Sequence, residues 1–141
     1  MNYQDYHQHP VNKFLHTFCI PIIVLTTINF LQWCQKKFKS FNVIIYTILI
    51  FLSIYYFIYY NFFILLSMSV FFISMFVLSD IWIFYRKNYL LESFILFTFA
   101  WLLQFLGHYI EGNKPALFDS ITTSFTQAPL YSLNNIFRLL D

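Results

Sequence analysis

"LLESFILFTFAWLLQFLGHYIEGNKPAL", residues 90–117, is the stretch whose reading decides the fold. From residue 90 to residue 110 it is almost wholly apolar and as long as the roughly 20 residues that a bilayer-crossing helix needs. It then closes on a histidine, a glutamate and the protein's two glycines, Gly107 and Gly112. A spanning helix that ends on such groups is a scaffold carrying chemistry at one end.

Three further runs of the same kind lie upstream, at 14–34, 43–60 and 62–85, with only Asn61 between the last two. Composition agrees: 60% of the 141 residues are hydrophobic, 24% aromatic and 10% charged. Soluble domains carry about 25% charged residues. The expected fold is therefore all-α, a single membrane domain of about four transmembrane helices (90–110 the fourth) with a C-terminal helical segment. The first thirteen residues are polar and no small-residue cleavage site follows, so the first span is expected to be retained.

Charge and cysteine content exclude several classes. A net charge of +2 with no interleaved basic and aromatic residues gives no nucleic-acid platform. Cys19 and Cys34 have neither zinc-ribbon nor redox spacing and read as buried thiols. There is no phosphate loop, nucleophile elbow or HExxH helix. Lys36, Lys37, Lys39, Arg86 and Lys87 fall in the two loops that the positive-inside rule makes cytoplasmic, against Lys13, Lys114 and Arg138 on the other side. Four spans place both terminal segments on one side of the membrane. Asp80 reads as an interfacial carboxylate or a partner of Arg86.

The four histidines all lie in those two terminal segments: His7, His9 and His16 in "YHQHPVNKFLH" and His108 in the opening stretch. Histidine is the commonest metal ligand and the usual acid–base group near neutral pH, so a metal or catalytic site is expected there. Residues three or four apart share a helix face, which aligns Gln104, His108 and Glu111, with Trp101 a turn earlier. Gly107 permits close approach of a neighbouring chain, and Gly112 suits a left-handed helix end before Pro115. Pro10 suits a first helical turn, with Asn12, His16 and Cys19 on one face. Were that helix extended backward, His9 would join the His16 face and His7 would not. Beyond "NKPAL", Asp119 or Ser120 suits an N-cap, and Pro129 suits the start of a second short helix. Leu130, Leu133, Ile136, Phe137 and Leu140 then form its apolar stripe, opposite Asn134, Asn135 and Arg138. This amphipathic segment would lie on the membrane or the bundle without spanning.

Together "YHQHPVNKFLH" and "WLLQFLGHYIEGNKPALFDS" with the later "APL" resemble the yeast-type 2-hydroxy-fatty-acid (2-hydroxypalmitic acid) dioxygenases, small multi-pass membrane proteins of fatty-acid α-oxidation. The matching residues are Trp101, Gln104, Phe105, Gly107, His108, Glu111, Pro115, Ala116, Leu117 and Asp119, with Tyr6, His7, Pro10, Asn12 and His16. The middle spans match only in hydrophobicity. "YIEGNK" is one residue shorter than the yeast form and closer to bacterial relatives.

The resemblance implies an Fe(II)-dependent oxygenase, for which nitrogen and oxygen ligands with open positions are suited. It implies iron on His7, His16 and His108, with His9 or Glu111 as a further ligand. Asn12, Gln104, Glu111 and Asp119 would orient the ligands, and Lys114 would offset a substrate carboxylate. The implied substrates are O2 and a 2-hydroxy long-chain fatty acid, cleaved between C1 and C2 with its tail among the helices. Periodicity favours His9 beside His16, whereas the resemblance favours His7. The implied location is the inner membrane of a bacterium or the endoplasmic reticulum of a eukaryote. The same histidines would also serve a zinc-dependent membrane hydrolase. A non-enzymatic scaffold or transporter is a third reading, though transporters carry their polar groups near the bilayer midplane.

Overall fold

A spanning helix forms where apolar side chains run on for about 20 residues and every backbone polar group is satisfied within the segment. The computed structural model describes residues 3–140 and shows four such helices. They are α1 (Pro10–Lys37), α2 (Phe41–Tyr59), α3 (Phe62–Tyr85) and α4 (Tyr89–Glu111), followed by a shorter α5 (Ile121–Phe137). Single 3-10 turns at Tyr3–Tyr6 and Ala116–Phe118 precede α1 and α5. No strand occurs among the described residues. The chain is a multi-pass helical membrane protein, and large apolar side chains such as Phe57, Phe62, Phe84 and Tyr109 stand exposed along its spans.

Short polar signals set the boundaries. Pro10 is the first residue of α1, where its missing N–H costs nothing. Asn61, alone between two apolar runs, caps α3 by accepting the Ile64 N–H at 2.9 Å. Gly112 ends α4 at φ +77°. Its N–H reaches the Tyr109 carbonyl at 3.2 Å and that of Asn113 reaches the His108 carbonyl at 3.2 Å, a Schellman pair. Ser120 caps α5 through the Thr123 N–H at 3.1 Å. Pro129 does not open a second helix; it lies within α5. The face of α5 that is buried carries Thr126, Pro129, Leu130 and Leu133, whereas Ile136, Phe137 and Leu140 are exposed.

The helices divide between two compact units, and α1 and α4 contribute to both. One unit comprises Val24–Ile95. In it α2 packs on α3 around Ile45, Leu52, Tyr56, Ile64, Met68 and Phe71. A buried polar cluster joins Asn29 to Ser93 at 2.8 Å and Ser79 to Asn29 and Gln32. Asp80 is exposed and makes no pair with Arg86, which binds Glu92 at 2.6 Å instead.

The other unit contains the chain up to Ile23 and from Leu96 onward, and α5 is pinned within it by a consequence of Pro21. Proline has no N–H, so Pro21 leaves the carbonyl four residues earlier, Thr17, without its helical donor. The Ser132 hydroxyl of α5 supplies one at 2.7 Å, and Asn135 reaches the Thr17 hydroxyl at 2.9 Å. Both 3-10 turns pack against α5 as well.

Candidate metal centre

The N-terminal 3-10 turn is held in place by three contacts. The Tyr3 N–H donates to Gln127 at 3.1 Å, the Tyr6 hydroxyl donates to Asp119 at 2.6 Å, and Tyr3 meets the Tyr131 ring at 5.2 Å. Lys114 completes this anchor as an ion pair with Asp119. Lys114 hydrogen-bonding first, then Tyr6, holds the Asp119 carboxyl below its ordinary range.

His7 follows the turn, and its ring lies 4.1 Å from that of His16 on α1 and 4.8 Å from that of His108 on α4. The His16 and His108 rings are also 4.8 Å apart. All three residues are buried, and one ligand nitrogen from each falls within 4.8 Å of the other two. His9 is outside this group. It sits immediately before α1, where its Nδ1 accepts the Val11 N–H at 3.2 Å, as an N-cap does.

Backbone carbonyls assign the tautomers. His7 Nδ1 faces the Tyr3 carbonyl at 2.8 Å and His16 Nδ1 faces the Asn12 carbonyl at 3.0 Å. A carbonyl only accepts, so both Nδ1 atoms carry the proton and both Nε2 atoms keep a lone pair. His7 Nε2 and His108 Nδ1 are buried with no hydrogen-bond partner. Burial pushes His7 down to about 4, against the opposing Tyr3 carbonyl, so at neutral pH it is uncharged and able to ligate. Leaving buried nitrogens orphaned costs about 1–3 kcal/mol each, a cost that a shared metal ion would remove. These residues fit a metal ion.

A carboxylate fixes the surrounding frame. Glu111, at the unfavourable C-terminal end of the α4 dipole, accepts from the Gln8 N–H and from Asn12 Nδ2, each at 2.6 Å. Asn12 is fully buried and also reaches the Tyr6 carbonyl at 3.3 Å. It therefore links the turn, α1 and α4. Gly107 makes this possible, because a Cβ there would overlap the Asn12 side chain and come within 3.3 Å of its Cα. Gln104 is buried one turn before His108, with its Nε2 unpartnered. Sequence reasoning missed Tyr3, Tyr131 and the Pro21–Thr17–Ser132 contact. Tyr131, buried with its ring 5.0 Å from that of His7, had no signal in so aromatic a chain.

Four spanning helices with three buried, neighbouring imidazoles define a multi-pass membrane protein with a candidate metal centre. The 2-hydroxy-palmitic acid dioxygenase Mpo1-like family model matches residues 1–139, and the chain belongs to that family. No curated protein and no solved structure matches it.

Proposed function

We infer that this protein is an Fe(II)-dependent dioxygenase that converts a 2-hydroxy long-chain fatty acid to the fatty acid one carbon shorter. The observation that carries this reading is the unpartnered Nε2 of His7 among three buried imidazoles, in a chain of this family. His7, His16 and His108 would hold the iron, which supplies oxygen activation when bound.

The remaining residues prepare the site. The Tyr3 and Asn12 carbonyls keep the protons of His7 and His16 on Nδ1. Glu111 and Asn12 hold α1 and α4 at the separation that brings His16 to His108. Gln104 offers a buried amide N–H to the substrate carboxylate. Lys114 and Asp119 anchor Tyr6 and thus the turn that presents His7. The acyl tail would lie among the Phe- and Leu-rich helices, and with four spans the site would face the side of the membrane shared by both termini.

The redox balance closes on one molecule of O2. C1 leaves as carbon dioxide and gives up one electron, while C2 becomes the new carboxyl carbon and gives up three. Those four electrons reduce O2, and the products are the shortened acid, carbon dioxide and water. No further reductant is required. The test incubates purified protein and Fe(II) with 2-hydroxypalmitate and follows pentadecanoic acid by mass spectrometry. Product is expected with the wild type and none with His16→Ala or His108→Ala. No product from iron-loaded wild-type protein would sink the reading.

A further inference from the structure

A second polar feature lies within the Val24–Ile95 unit, and none of its residues belongs to the histidine group. The last two turns of α1 and α3 and the first turn of α2 border an open recess of about 530 Å³, lined by Gln32, Gln35, Lys36, Asn42 and Asp80. Its volume is within the roughly 300–1,000 Å³ of small-molecule sites, but those are mostly apolar. Here every lining side chain is polar, in a chain only 10% charged. Spanning helices meet the lipid headgroups at their ends, so the pocket lies at headgroup depth.

The lining has unmet acceptors. Asn42 Oδ1 is buried with no hydrogen-bond partner. Asp80 has no ion-pair partner among the described residues, and Arg86 is committed to Glu92. Lys36 is the only cation in the lining. A complementary ligand therefore brings N–H donors and positive charge to Asp80 and Asn42, and an anion to Lys36. We propose that this pocket binds the ethanolamine phosphate headgroup of a membrane lipid, its primary ammonium on Asp80 and Asn42 and its phosphate on Lys36. A primary ammonium has three donors, whereas a choline headgroup has no N–H to give the Asn42 carbonyl. A glycerol phosphate headgroup has no cation for Asp80.

The test uses the full chain in detergent, titrated with phosphatidylethanolamine, phosphatidylcholine and phosphatidylglycerol under native mass spectrometry. The ethanolamine lipid is expected to bind about tenfold more tightly than the other two, a difference of about 1.4 kcal/mol. Asp80→Asn and Asn42→Ala are expected to abolish that preference, while His16→Ala retains it. Asp80 is exposed, so its variant keeps the fold even where the Asn42 variant does not. At matched concentration, free phosphoethanolamine is expected to leave the lipid bound; displacement would overturn the lipid assignment. Equal binding of the ethanolamine and choline lipids to the wild type, or an undiminished preference in Asp80→Asn, would overturn the site.

Discussion

Asn12 and Gly107 meet closely beside the three imidazoles, and the space for Asn12 exists only because residue 107 has no side chain. Gly107→Ala is expected to push α1 from α4 and destabilise the protein by about 1–3 kcal/mol, the usual cost of overpacking. Metal content per protein, measured after desalting, should fall with it. His7 gives a prediction of a different kind. Its pKa is lowered from an ordinary 6.5 to about 4 by burial. Between those values the unfolded chain binds more protons than the folded one. The His7 contribution to stability is thus complete above about pH 6.5 and is lost as pH falls toward 4. Melting curves of metal-free protein across that range should show the loss, and His7→Gln should flatten it. The two site helices differ in how far periodicity reads them. His108, Gln104 and Glu111 share one regular helix, so their spacing places them together. His7 lies between a 3-10 turn and Pro10, where helical spacing has no hold, and its position depends on Tyr3, Tyr6 and the distant Asp119. The residues alone pointed toward His9, and only the family resemblance pointed to His7.

At the scale of elements, α5 acts as the brace that fixes the N-terminal turn and the His16 stretch of α1. Its key contact is the Ser132 hydroxyl on the carbonyl that Pro21 frees. Ser132→Ala leaves that buried carbonyl unsatisfied and is expected to cost about 1–3 kcal/mol. The lowered melting temperature should be accompanied by faster amide exchange across α5. Restoring the donor with Ser132→Thr should recover most of the loss. The four spans were legible because bilayer thickness imposes one length and one composition on each. The brace was less so. Its buried face includes Thr126, Pro129 and Ser132, so a stripe drawn from apolar residues alone selects Ile136, Phe137 and Leu140, which are exposed. Pro129 suits a helix start by propensity, yet α5 runs through it because tertiary contacts outweigh that preference.

For the whole molecule, the metal is expected to stabilise the fold as well as act in it, since the unfolded chain cannot assemble His7, His16 and His108. Chelation should lower the melting temperature, and Fe(II) at a hundred times its Kd should restore about 2.7 kcal/mol. His108→Ala protein should show no such response. The central claim is that the three imidazoles would hold an iron and that each 2-hydroxy acid cleaved consumes one O2. Its most direct test is the ratio of oxygen consumed to pentadecanoic acid formed from 2-hydroxypalmitate, in protein loaded with Fe(II) alone. A ratio of one without added reductant, abolished in His7→Ala, His16→Ala and His108→Ala, is the predicted result. Shortened acid formed without oxygen uptake, or at an unchanged rate in those variants, would contradict it.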